Sequence, residues 1–249
     1  MKTTSCTMSN LSGSPPRVLR QLTIAALCFS VISGCASSVK MAVPPEVGEN
    51  KTVYPVDRPS FTSAIGSQTY TFGPFTADDV DRGVTSTNSM KLGAYNTSKE
   101  KKEFSFVIEG LSNGPLAAKC EGGEAKKGVS FGGGEIAKAS TTLSCSFTDN
   151  AGNSAGLLEI AMAEDGEEGA RLGQIEIGGV TIDISMTKKQ EGNSLSRGGP
   201  TGFFFEADGE SIGAVDVLGK GIVYVGNGLD DATRFGVASA ATVLLIFQS

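Results

Sequence analysis

The sequence predicts a mainly β protein, an antiparallel barrel or sandwich of short strands with a buried apolar helix at its C-terminal end. Three observations carry that expectation. Apolar residues recur at every second position in several separate stretches, the mark of half-buried strands. Glycine is abundant at 33 residues and tryptophan is absent, and Gly178-Gly179 and Asp208-Gly209 sit between such stretches as tight hairpin turns do. The last apolar run, Phe235 to Phe247, does not alternate and is broken only by Gly236, Ser239 and Thr242 in small or polar residues. A helix apolar on all sides is a buried helix.

In chain order, the first part is a leader. Residues 1 to 21 carry Lys2, Arg17 and Arg20 with no acid, and Leu22 to Ile32 is an apolar run of eleven. Basic, then apolar, then small residues is the order of a secretory signal, and eleven residues is too short for a spanning helix of about 20. Either Met1 or Met8 can serve as the start. A secreted protein with a chance cysteine, or an uncleaved apolar core segment, remains open on composition alone.

Ile32-Ser33-Gly34-Cys35 closes this run. It resembles the lipobox of bacterial lipoproteins: an aliphatic residue, a small residue, Gly or Ala, then Cys. The resemblance implies a signal peptide over 1–34, cleaved before Cys35, and covalent lipid (a diacylglyceryl group and an N-acyl chain such as palmitate) on Cys35. Each buried methylene stabilises by about 0.8 kcal/mol, so two or more chains hold firmly where one does not. The membrane partner is thus a covalent lipid at Cys35. Ala36 stands where an Asp would retain such a protein in the inner membrane. The resemblance therefore implies the cell outer membrane, or the outer face of the plasma membrane in an organism with one membrane.

Residues 35–60 hold Pro44, Pro45, Pro55 and Pro59 and few aliphatics, and read as a lipidated cysteine with a Pro-containing tether. About 25 residues of flexible coil average roughly 25–30 Å end to end. The competing reading pairs Val53-Tyr54-Pro55-Val56 as an edge strand, where proline is tolerated. Residues 61–249 then form one β-rich domain.

Strands are expected around Tyr70 and Phe72, then Phe104–Ile108, Leu143–Phe147, Leu158–Met162, Ile175–Ile177 and Val180–Met186. Further strands are expected at Phe203–Glu206, Ser211–Val217 and Gly221–Val225, before Asp230 as N-cap of the last helix. The alternative to the end of this helix is a final buried strand over Thr242–Phe247, where β-branched and aromatic residues are mixed.

With the leader removed, Cys120 and Cys145 remain as an even pair in an oxidising compartment, and read as one disulfide. Cys145 falls on the apolar face of its strand. Two free buried thiols are the alternative, and two cysteines without histidine make a poor zinc site.

No catalytic, metal or cofactor site is assigned. The chain contains no histidine. That removes Ser-His-Asp and Cys-His arrangements and histidine-bearing zinc sites. The net charge of −6 becomes about −9 when the leader takes its three positive charges, and an acidic body disfavours nucleic acid. Ser98-Lys99-Glu100-Lys101 has the bare Ser-x-x-Lys spacing without its partner motifs, and reads as a solvated turn. Gly213 to Gly221 lacks the spacing and the Ser or Thr of a phosphate loop. The acid clusters Asp78-Asp79-Asp81, Asp165-Glu167-Glu168 and Asp230-Asp231 lack the ligand alternation of a calcium loop.

The ending, Gly202 to Ser249, is three strands followed by the helix. It resembles the tubby C-terminal-like group, which includes the LURP-one and scramblase families. The resemblance implies antiparallel hairpins closing a barrel around a C-terminal helix. Some members bind lipid headgroups or move lipids; no residue here matches their basic sites.

These readings converge on a lipid-anchored envelope lipoprotein that is not an enzyme and serves as a structural or interaction module, with its protein partner unidentified. Two alternatives stand beside it: a module binding a lipid or other apolar ligand, and a hydrolase using paired carboxylates.

Overall fold

The alternating stretches do become strands, and each ends where a turn residue interrupts the pattern. The structure, a computed structural model, describes residues 40–43, 47, 50–58, 68–111, 113–131, 134–163, 167–192 and 199–248. In chain order the strands are β1 (Lys51–Pro55), β2 (Gln68–Phe72), β3 (Phe75–Arg82), β4 (Ser86–Leu92), β5 (Tyr95–Gly110), β6 (Asn113–Phe131) and β7 (Gly134–Thr148). They continue with β8 (Ser154–Ala163), β9 (Arg171–Ile177), β10 (Val180–Thr187), β11 (Gly202–Ala207), β12 (Glu210–Asp216) and β13 (Ile222–Gly226), before one helix, α1 (Asp231–Phe247).

All pairings are antiparallel. From β5 to β13 each strand pairs with its neighbour in sequence; β3 and β2 extend the sheet beyond β5, and β1 extends it beyond β13. The two ends meet where Asp57, just after β1, exchanges backbone hydrogen bonds with Thr71 of β2 at 2.8 and 2.9 Å. The sheet is therefore a nearly closed barrel of twelve strands, not a sandwich. At both predicted hairpins the turn residues have positive φ: Gly178 at 60° and Gly179 at 83°, Asp208 at 52° and Gly209 at 80°. That is the turn whose twist matches the flanking strands.

The barrel is filled by α1. Asp230 caps it, its carboxylate accepting from the Thr233 amide at 2.8 Å and the Thr233 hydroxyl at 3.1 Å. The helix runs through Thr242–Phe247, so the strand alternative there is excluded. Every residue from Phe235 to Ile246 is buried, which covers all sides of more than three turns. Phe235, Val237, Leu244 and Leu245 share one core with inward side chains such as Phe106, Phe147, Ile182, Phe203 and Phe205. Outward positions on the wall carry Lys119, Glu121, Ser144, Glu159 and Glu176. No helix among the described residues is long and apolar enough to cross a membrane.

Part of the segment read as tether is folded. β1 pairs with β13 from Lys51↔Gly226 to Pro55↔Ile222, which is the edge-strand alternative. Upstream, Met41 and Val47 are buried with Ala214 and Tyr224, against Val43, Phe204 and Ile222, on the outer face of β11, β12 and β13. Lys40, at the start of this strap and five residues after Cys35, is already hydrogen-bonded to Glu191, so the packed chain begins well before residue 60.

β5, β6 and β7 outrun the barrel. Register from Tyr95↔Val129 to Lys101↔Gly123 continues past the last inward aromatic, Phe104, and β4 pairs along the same stretch of β5. These strands form a four-stranded arm. All seven residues of β4 are exposed. Ser98–Lys101 lies on β5 in this arm, not in a turn; Lys101 reaches Glu103 at 2.8 Å and Glu121 at 3.1 Å across an exposed face.

Candidate functional sites: the cysteines, a buried carboxylate and the barrel ends

Cys35 and the other lipobox residues lie outside the described residues. Cys120 and Cys145 are described. They face each other directly in the β6–β7 register, with sulfurs 2.08 Å apart, at disulfide bonding distance. Both are buried, as the alternation around Cys145 requires. The pair sits in the barrel wall beneath α1, and no group of three metal-ligating side chains occurs among the described residues.

The catalytic candidates weighed on sequence are not assembled. Ser98 and Lys101 are three apart on one strand, so they project from opposite faces and cannot share a proton. Asp78, Asp79 and Asp81 lie on β3, where the register shifts and Asp79 adopts φ of 52°; this is a β-bulge, not a ligand loop. Asp230 is committed to the helix cap, and its two hydrogen bonds hold its pKa below the ordinary carboxylate value. Gly219-Lys220-Gly221 forms the tight turn between β12 and β13. Asp165 lies outside the described residues. Glu168 accepts from the Thr187 hydroxyl at 2.6 Å and the Lys188 amide at 3.0 Å.

Asp216, at the end of β12, was not singled out by sequence. It is the only buried carboxylate among the described residues. One oxygen accepts from the Met41 amide at 2.9 Å and the other from the Leu218 amide at 2.8 Å. Burial pushes its pKa up, against the pull of these two donors and of Lys40. Beside it the Tyr224 phenol is pushed up to about 12 by burial and by the nearby Asp216 and Glu191 carboxylates. The Lys51 ammonium stands 4.5 Å over the Tyr224 ring. No second buried acid accompanies Asp216 among the described residues, so it is not half of a hydrolytic pair. Its work is to fasten the strap: the signal for it in the sequence is an acid inside Ala214-Val215-Asp216-Val217.

The helix side chains fill the interior, so the clefts of a few hundred Å³ lined by described residues lie at the barrel's ends and on its outer wall. At the helix N-terminal end, a cleft of about 420 Å³ is bounded by Leu116, Ala155, Ile177 and Phe235. At the opposite end, beneath the arm, a cleft of about 350 Å³ is lined by Met162, Met186 and Phe247 with Lys102, Lys126 and Lys188. Lys102 lies 5.6 Å over the Phe247 ring and 3.2 Å from Glu100.

No protein-family model, no curated protein and no solved structure matches the chain.

Proposed function

We propose that this protein is an outer-membrane lipoprotein, acylated at Cys35, whose barrel is a non-enzymatic interaction module at the envelope. The lipobox Ile32-Ser33-Gly34-Cys35 after a basic and apolar leader is the observation that carries the reading. The fold supports the second half of it. A wall that is apolar inside and polar outside suits a barrel standing in water, the reverse of a barrel whose wall meets lipid. The interior is filled by α1, and the one buried carboxylate among the described residues holds a structural clamp. The layout of hairpins around a C-terminal helix also supports the kinship with the tubby C-terminal-like group at the level of architecture, which does not transfer function.

The test is detergent partitioning and mature mass in a bacterial host, for wild type against Cys35→Ala. Wild type is expected in the detergent phase with a mass beginning at an acylated Cys35, and Cys35→Ala outside that phase or unprocessed. Identical partitioning of both, with a mature chain beginning elsewhere, rejects the proposal.

A further inference from the structure

The exposed apolar side chains of this protein are not scattered. Of the six large ones among the described residues, Met90 and Leu92 lie on β4, Val84 just before it, and Tyr95 opens β5 opposite Leu92. Leu92 is 74% exposed, Tyr95 66% and Met90 65%, which is too open for core residues and too clustered for chance surface apolars.

Their arrangement follows from register. Phe104 and Phe106 point into the barrel, so odd-numbered residues of β5 point outward. Leu92 pairs with Tyr95, and Tyr95 with Val129, forming an apolar row across the end of the arm. One step back, Met90 pairs with Thr97, Thr97 with Lys127, and Lys127 with Lys138. One step further back, Lys99 stands between Asn88 and Ala125. The outer face thus runs from apolar tip to lysine. On this face stand Lys99, Lys127 and Lys138, in a chain whose net charge is −6; Lys91 and Lys126 project from the other face, and Lys126 lies 2.7 Å from Glu124.

An apolar edge with an aromatic hydroxyl, backed by lysines whose stems reach past it, is the pattern of a bilayer interface. We infer that the tip of the arm, the Leu92–Tyr95–Val129 row with Lys99 and Lys127 behind it, docks on an anionic phospholipid surface. The charge and apolar pattern stand by themselves. A geometric match is added by the Cys35 acylation proposed above. Met41 is held at the end of β12 and beside Gln190, the same barrel end as Phe247, Pro200 and the base of the arm. Six residues from Cys35 to Met41 span at most about 20 Å. The seven residues from Lys102 back to Tyr95 span about 23 Å of strand. The longest reach of the chain from Met41 to Cys35 is thus close to the length of the arm, and two weak contacts carried on one chain reinforce each other where both can be made.

The chain has no tryptophan, so a single one reports its own surroundings. Tyr95→Trp is placed in the full chain carrying Cys35→Ala, with Met90→Trp as a second reporter on the same face and Thr181→Trp on the exposed wall near the other end as control. On vesicles of phosphatidylcholine with phosphatidylglycerol, both arm reporters are expected to shift their emission to the blue and be quenched by brominated lipid, and the control is not. Adding Lys99→Gln with Lys127→Gln should weaken the partition about thirty-fold, at the strength of two lysines near an anionic surface. The inference is overturned if neither arm reporter responds or if phosphatidylcholine alone gives an equal response. It is also overturned if the blue shift appears on concentrating the protein without lipid, which assigns the face to a second copy. A bare Cys35 in native material with the arm response intact rejects the anchor alone; an acylated Cys35 with no arm response rejects the arm alone.

Discussion

Asp216 shows how much one side chain decides here. Its two oxygens hold the Met41 and Leu218 amides in a site that excludes water. Asp216→Ala leaves both donors unpaired, and each buried unpaired group costs about 1–3 kcal/mol. The expected loss is about 3 kcal/mol in urea unfolding, read best as loosening of the strap. The pH dependence has a definite sign. Burial raises the folded pKa above the ordinary carboxylate value, so the folded protein holds a proton that the unfolded chain has already lost. Wild-type stability from this group falls as pH rises from the ordinary value to the raised one, and is level above it. The gap between wild type and Asp216→Ala should therefore be wider at about pH 4 than at about pH 7. A gap that widens with pH would mean the amide donors outweigh burial. The sequence showed an acid in an apolar run, but not that a segment 175 residues away supplies the amide that makes it tolerable.

At the scale of elements, α1 is pressed into the wall at Gly236. A Cβ there would lie 2.8 Å from Ile182 Cδ1 and 3.2 Å from Ile177 Cγ2. Gly236→Ala gains about 1 kcal/mol of helix propensity and asks only that the end of a flexible isoleucine move, so it should be near neutral. Gly236→Leu should cost about 1–3 kcal/mol by overpacking, in the denaturation midpoint. A leucine accommodated without loss would show that helix and wall are not in contact there. The helix was legible because its run was long, uninterrupted and capped. β8 and β10 were legible from the alternation of their side chains, and β11 and β12 as apolar runs on either side of the Asp208-Gly209 turn. β4 (STNSMKL) and the outer half of β6 (EGGEAKKGVSF) were not: their residues carry little β propensity and no apolar period. They are strands because partners on β5 and β7 use their backbone groups, and side-chain pattern holds no record of that.

For the whole molecule, wall integrity rests on hydrogen bonding all round and on one cross-link. Cys120 and Cys145 are 25 residues apart and close the β6–β7 hairpin near its barrel end. A loop of that length is worth about 3 kcal/mol through the entropy of the unfolded chain. Cys120→Ala with Cys145→Ala should lower the unfolding free energy by that amount, read as a fall in the urea midpoint, and reduction of wild type should do the same. Equal midpoints with and without reductant would show that the thiols are unlinked in solution. The proposed docking belongs to the same scale: among the described residues the outer wall is mostly polar, and the exposed apolar side chains with lysines behind them gather on the arm.

By itself the sequence determined the mainly β class, the capped apolar run of the last helix, the two tight turns, the inward direction of Cys145 and the expectation of an anchor at Cys35. These are local: a period, a cap, a turn dipeptide or a short motif is complete within a few residues. Only the tertiary structure decided that the sheet closes into a barrel, that Met41, Val47 and β1 pack along its wall, and that three strands run on into an arm. Those depend on which backbone edges meet across the chain, and an edge's partner leaves no mark on the residues beside it.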